Sequence, residues 1–89
     1  MTHYIAILVP SDDGWRALIP DIPDCEARGS DPDAAKFAAS NSLTQRLRAN
    51  GATPPRPRHL VQIATDREWM SRNDIDFSKA IVTVIPVGG

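Results

Sequence analysis

Apolar residues gather in separate stretches along the chain, and their period changes from one stretch to the next. "HYIAILVP", residues 3–10, is rich in β-branched and aromatic side chains and predicts a strand that ends at Pro10. "SDDG" follows, with Gly14 able to take positive φ, and "WRALIP" resumes the extended run. Two short apolar runs around Asp12-Asp13-Gly14 predict a hairpin. Pro20 and Pro23 stop the second strand, because neither can donate a ladder hydrogen bond and each biases its predecessor toward extended backbone. "CEARG", residues 25–29, is short enough for a third strand closed by Gly29.

The period then lengthens. In "SDPDAAKFAASNSLTQRLRANG" the residues Ala35, Ala39, Leu43 and Leu47 recur every four positions, which predicts a helix with one apolar face. Ser30 or Asp31 caps it, Pro32 suits its first turn, and Asp33 places negative charge near the positive end of the dipole. Gly51 is the expected C-cap. Alanines on the apolar face let the helix lie close on a sheet, whereas Phe37 falls off that face with Asn41, Thr44 and Arg48. Beyond the proline-rich "GATPPRPRH", the segment "LVQIATDREWMSR" predicts one or two short helical turns anchored by Leu60, Ile63 and Trp69. "FSKAIVTVIPV" is a final strand, apolar on both faces and therefore covered by the helix on at least one. The order β-β-β-α-(short helix)-β argues an α+β fold of two layers.

Length changes this picture in one respect. A chain of 89 residues is one domain, residues 1–89, and at this size only roughly 60–65% of the unfolded surface is buried. Self-association or a partner is therefore expected, as a homodimer or a tetramer. The single cysteine, Cys25, excludes an internal disulfide framework and fits a reducing compartment. No segment has the pattern of a signal peptide, and no apolar run approaches the ~20 residues that span a bilayer. A soluble, cytoplasmic chain is expected.

Net charge is −1, which gives no bias of the whole molecule toward nucleic acid. The charges are segregated along the chain. Met1 to Asp33 carries seven acids against Arg16 and Arg28, whereas Ala34 to Thr65 carries five bases and no acid. If the fold keeps these parts on different faces, the acidic third is a surface for a basic partner.

The order of motifs resembles the HicB family. The tyrosine-bearing first strand, "DDGW", "IPDIPDCEARG" and "SDPDAA" carry that resemblance, at Asp13, Gly14, Pro20, Asp21, Pro23, Cys25 and Gly29 and at the helix positions Ala35, Ala39, Leu43 and Leu47. "PPRP" and "IVTVIPV" extend it loosely toward the end of the chain. Asp24 departs from the pattern, standing where the family usually has glycine. The resemblance implies a partial RNase H-like (HicB-like) fold of antitoxin type, with a small basic HicA-type RNA-cleaving toxin as partner. Many HicB proteins continue into a DNA-binding domain of helix-turn-helix or ribbon-helix-helix type. The sequence stops just past the last strand, so the resemblance implies the toxin-binding half without the operator-binding half.

No catalytic, cofactor or metal site is expected. An RNase H-like nuclease needs carboxylates converging on divalent metal, one of them in the middle of the first strand, and "HYIAILVP" has none. Asp21, Asp24, Asp31 and Asp33 fall on loops and at the helix start, where turn-making and capping explain them. Cys25 reads as a small buried apolar side chain, since nothing in the sequence brings His3 or His59 to it. Trp15 and Trp69 read as packing residues. The basic run "QRLRANGATPPRPRH" lacks interleaved aromatics and reads as a solvated face. The candidate partner-binding residues are Asp12, Asp13, Asp21, Asp24, Glu26 and Phe37. A protein-binding antitoxin-like module is the first functional expectation, and a stand-alone homo-oligomeric HicB-like domain without a toxin partner is the second.

Overall fold

A computed structural model describes residues 2–22, 25–50 and 58–87. The elements run β1 (Thr2–Ser11), β2 (Gly14–Leu18), β3 (Glu26–Gly29), α1 (Pro32–Asn50), α2 (Leu60–Ala64), α3 (Arg67–Asn73), a 3-10 turn at Phe77–Lys79 and β4 (Ile81–Val87). The four strands form one antiparallel sheet in the order β3-β2-β1-β4. The expected α+β architecture is present, with two short helices where one or two helical turns were anticipated.

The hairpin closes where the sequence placed it, on Ser11 opposite Gly14. Gly14 has φ 149°, a conformation that glycine adopts without cost. A Cβ there would land on the Gly29 carbonyl oxygen and 3.2 Å from the Ser30 Cα. The hairpin tip and the start of α1 are thus pressed together.

β1 continues through Pro10 to Ser11 rather than ending at Pro10. The reason lies in the neighbouring strand. β4 pairs with β1 only from Thr2 to Leu8, so Pro10 has a partner on one side alone, Trp15 of β2. A proline tolerates that position because its missing N–H points to the side where no strand lies.

α1 starts as anticipated. The Asp31 carboxylate accepts from the Ala34 amide at 2.7 Å, and Pro32 is the first helical residue. Ala35, Ala39 and Leu43 are buried against one face of the sheet with Tyr4, Ala6, Leu8, Ala17, Ile19 and Ile85, and Leu47 packs at the margin. The expected C-cap Gly51 lies outside the described residues.

The opposite face holds a second, smaller cluster. Ile7, Val9 and Leu18 are covered by Trp69, Ile75, Phe77 and Ala80, so α3 and the 3-10 turn cap the side that α1 does not. Both tryptophans pack, Trp15 on the α1 side and Trp69 on the α3 side. Of the three anticipated anchors in this region, Ile63 is buried and Trp69 partly so, but Leu60 is 41% exposed and anchors nothing. The final strand begins at Ile81 rather than at Phe77, because Asp76 accepts from the Ser78 amide and hydroxyl and turns Phe77–Lys79 into a 3-10 helix.

Candidate partner-binding surface

The acids of the first third lie in different surroundings. Asp12 and Asp13 sit exposed at the hairpin tip and, among the described residues, form no ion pair. Glu26 is exposed on the β3 edge but shared with Arg16 at 3.5 Å and Arg28 at 3.9 Å. Such pairs at the surface are worth little and leave the carboxylate accessible. Asp24 lies outside the described residues.

Asp21 is a different case. Its side chain is only 4% exposed and is engaged twice by Arg58, from Nε at 2.5 Å and from the backbone amide at 2.8 Å. Arg58 also reaches Asp66 at 3.2 Å, and Asp66 in turn accepts from the Trp69 amide at the start of α3. One guanidinium therefore ties the loop after β2 to the end of the proline-rich connector and to α3. The Trp69 amide first, and Arg58 next, hold the Asp66 carboxyl below the usual carboxylate range. Burial raises the pKa of Tyr4, and the negative charge of Asp21 adds to that shift. Arg16 makes a second link, donating to the Asn73 carbonyl at 3.1 Å and so satisfying the end of α3. Neither link could be read from spacing, since the partners lie 37 and 57 residues apart.

Phe37 is 70% exposed, as its place off the apolar face of α1 predicts. Asp33 stands one turn before it and on the same helix face, also exposed. The hairpin tip meets the chain just before α1 at Ser30. Asp31 and Asp33 therefore lie at the N-terminal end of α1, the hairpin tip that carries Asp12 and Asp13 approaches the chain at Ser30, and Phe37 is exposed one helical turn beyond Asp33. An exposed aromatic costs solvation and gains nothing within this chain. Phe37→Ala is accordingly expected to leave thermal stability within about 0.5 kcal/mol of wild type. A large loss of stability in a thermal melt would place the ring in the core instead.

Cys25 is buried, with its thiol 3.9 Å from the Ser42 hydroxyl, and burial pushes its pKa up. That is the opposite of what activates a nucleophilic thiol. It lines a cleft with Leu18, Ile22, Glu26, Trp69 and Arg72. His59 is exposed before α2, where its amide donates to Gln62 Oε1 at 2.9 Å. Among the described residues no group of three His, Cys, Asp or Glu side chains is placed to hold a metal ion. No helix of the described residues is long and apolar enough to cross a membrane.

A sheet ordered β3-β2-β1-β4, with one long helix on one face and short helices on the other, matches solved structures along nearly its whole length. It superposes on the N-terminal domain of the Burkholderia pseudomallei antitoxin HicB with a TM-score of 0.74 and 12% identity, covering 98% of this chain and 99% of that one. The fold is that of the HicB antitoxins. A chain from a HicA3 and HicB3 toxin–antitoxin complex matches with a TM-score of 0.71 and 15% identity, over 99% of this chain and 100% of that one. The antitoxin HicB3 matches at 0.69 and 15% identity, and there the present chain spans 62% of the longer protein. No protein-family model matches the sequence, and no curated protein does. The likeness to the HicB fold is therefore one of topology, at 12–15% identity.

Proposed function

We propose that this chain is an antitoxin-like protein-binding module whose partner is a small basic toxin of the HicA type. The observation that carries the proposal is the end-to-end match to a chain from a toxin–antitoxin complex. The surface around the start of α1 supplies a physical rationale. Asp12 and Asp13 attract a basic partner, Glu26 adds to the field along the β3 edge, and Phe37 offers an exposed apolar anchor on α1. Asp21 contributes through its hold on Arg58 rather than as a free charge. No catalytic role is assigned to any of these groups, and neither cofactor nor metal is required.

Opposite charges at the rim act mainly on the rate of encounter, and salt screens them over about 8–10 Å at physiological strength. Reversing Asp12 and Asp13 to lysine is therefore expected to slow association with the toxin several-fold in low salt and to have no effect in high salt. Equal rates for wild type and variant in low salt would remove the hairpin tip from the recognition surface. The affinity itself should rest on apolar anchors, so Phe37→Ala is expected to weaken the complex by about 1–3 kcal/mol.

A further inference from the structure

The two edges of the sheet are protected very differently. The β3 edge is four residues long and carries Glu26 and Arg28, the charged and short kind of edge that resists pairing. The β4 edge is seven residues long, "IVTVIPV", with no charge. It pairs with β1 residue for residue from Ile81 to Val87 without a bulge. Ile81, Val82 and Val84 are 43%, 39% and 48% exposed. Such an edge is a template for another strand.

The prolines fix which groups that edge presents. Pro86 has no N–H, so its backbone nitrogen belongs on the free side of β4 rather than in the ladder with β1. Alternation then turns the N–H and C=O of Val82 and Val84 outward too, with the C=O of Pro86. Pro10, opposite Trp15, gives the same phase from the other side of β1. The Ala80 amide is already used, donating to the Phe77 carbonyl at 3.3 Å.

We propose that the free edge of β4 pairs antiparallel with the same edge of a second copy of this chain, about a two-fold axis at Thr83. Among the described residues, only this register uses every outward amide of β4. Val82 faces the partner's Val84 and Val84 faces the partner's Val82, making four hydrogen bonds. Pro86 and Ala80, neither with an amide to give, fall opposite each other. Centring on Val84 would set Val82 against the partner's Pro86 and lose an amide on each side. Centring on Val82 would set Val84 against the spent amide of Ala80. In the Thr83 register the valines pair on the α3 face, Ile81 meets the partner's Ile85 on the α1 face, and the two threonines form a close non-hydrogen-bonded pair. No like charges meet, because the strand has none, and this self-complementarity is what favours a second copy as the occupant. The result is a continuous sheet of eight strands. The inference stands whether or not the chain binds a toxin.

Light scattering at tens of micromolar, with no toxin present, should give twice the chain mass for wild type and the chain mass for Val84→Lys. Val84 is half exposed in the protomer, so the lysine should leave the near-ultraviolet signal of Trp15 and Trp69 in place. Thr83→Cys should form a disulfide-linked dimer under mild oxidation, far faster than Phe37→Cys. A monomeric wild type, a dimer that survives Val84→Lys, or cross-linking no faster at Thr83 than at Phe37 would each overturn the proposal. So would Val82 and Val84 amides that gain exchange protection only when a toxin is added, because the edge would then belong to a different partner.

Discussion

Replacing Gly29 with valine is expected to abolish accumulation of folded protein. Gly29 pairs with Trp15 at the end of β3 and lies under the first turn of α1. A Cβ there would overlap the backbone of Ala34 and Ala35 and approach the Ala34 Cβ to 2.8 Å. Backbone cannot move aside as a side chain does, so α1 would have to lift from the sheet. Ala35, Ala39 and Leu43 are 0%, 1% and 0% exposed on that same face, and lifting the helix would open the larger of the two cores. The loss should be about 4 kcal/mol or more, a large share of the ~5–15 kcal/mol that holds a typical domain together. Soluble yield and a thermal melt check it. A Gly29→Val protein that melts within a few degrees of wild type would show that α1 does not rest on β3 as closely as described.

The second large effect is expected at Arg58. Asp21 is 4% exposed while Arg58 is 32% exposed, so the two partners are not equivalent. Arg58→Ala strands a carboxylate that has almost no access to water, retaining among the described residues only the backbone amide of residue 58. Removing one partner from a fully buried pair costs about 3–5 kcal/mol, and the partial exposure of Arg58 reduces this to about 2–3 kcal/mol. Asp21→Asn in the Arg58→Ala background should recover part of the loss, because the stranded group is then neutral. Urea titrations of the four proteins give the coupling directly, and strictly additive losses would mean that the pair contributes nothing as a pair. The acid limb should show the same clasp. The depressed pKa of Asp66 means that its contribution is fully present above the usual carboxylate range and is lost as pH falls through the lowered value.

What could be read in the sequence was what neighbouring residues decide. Asp31, Pro32 and the four-residue stripe fixed the start and face of α1, and every one of those signals lies within the helix or just before it. The hairpin, the short third strand and the apolar last strand were legible for the same reason. Pro10 misled because its effect depends on how far β4 reaches along β1, which no local rule contains. Leu60 misled because a five-residue helix has too few positions to establish which side is buried. At the candidate surface, Phe37 was legible as a residue off its stripe. The burial of Asp21 was not, since it is made by an arginine across a proline-rich connector. The aspartates of the first third looked alike in the sequence, and only the fold distinguishes the buried Asp21 from the exposed pair at the hairpin tip.

The most direct test of the antitoxin-like role is co-expression with a small basic toxin of the HicA type, taken from a reading frame beside this chain's gene. The wild-type chain should relieve the growth arrest that the toxin causes, and the two proteins should purify together as a stable complex. Arrest that persists at equal expression, with no complex recovered, would contradict the role and leave a self-associating domain of HicB-like fold.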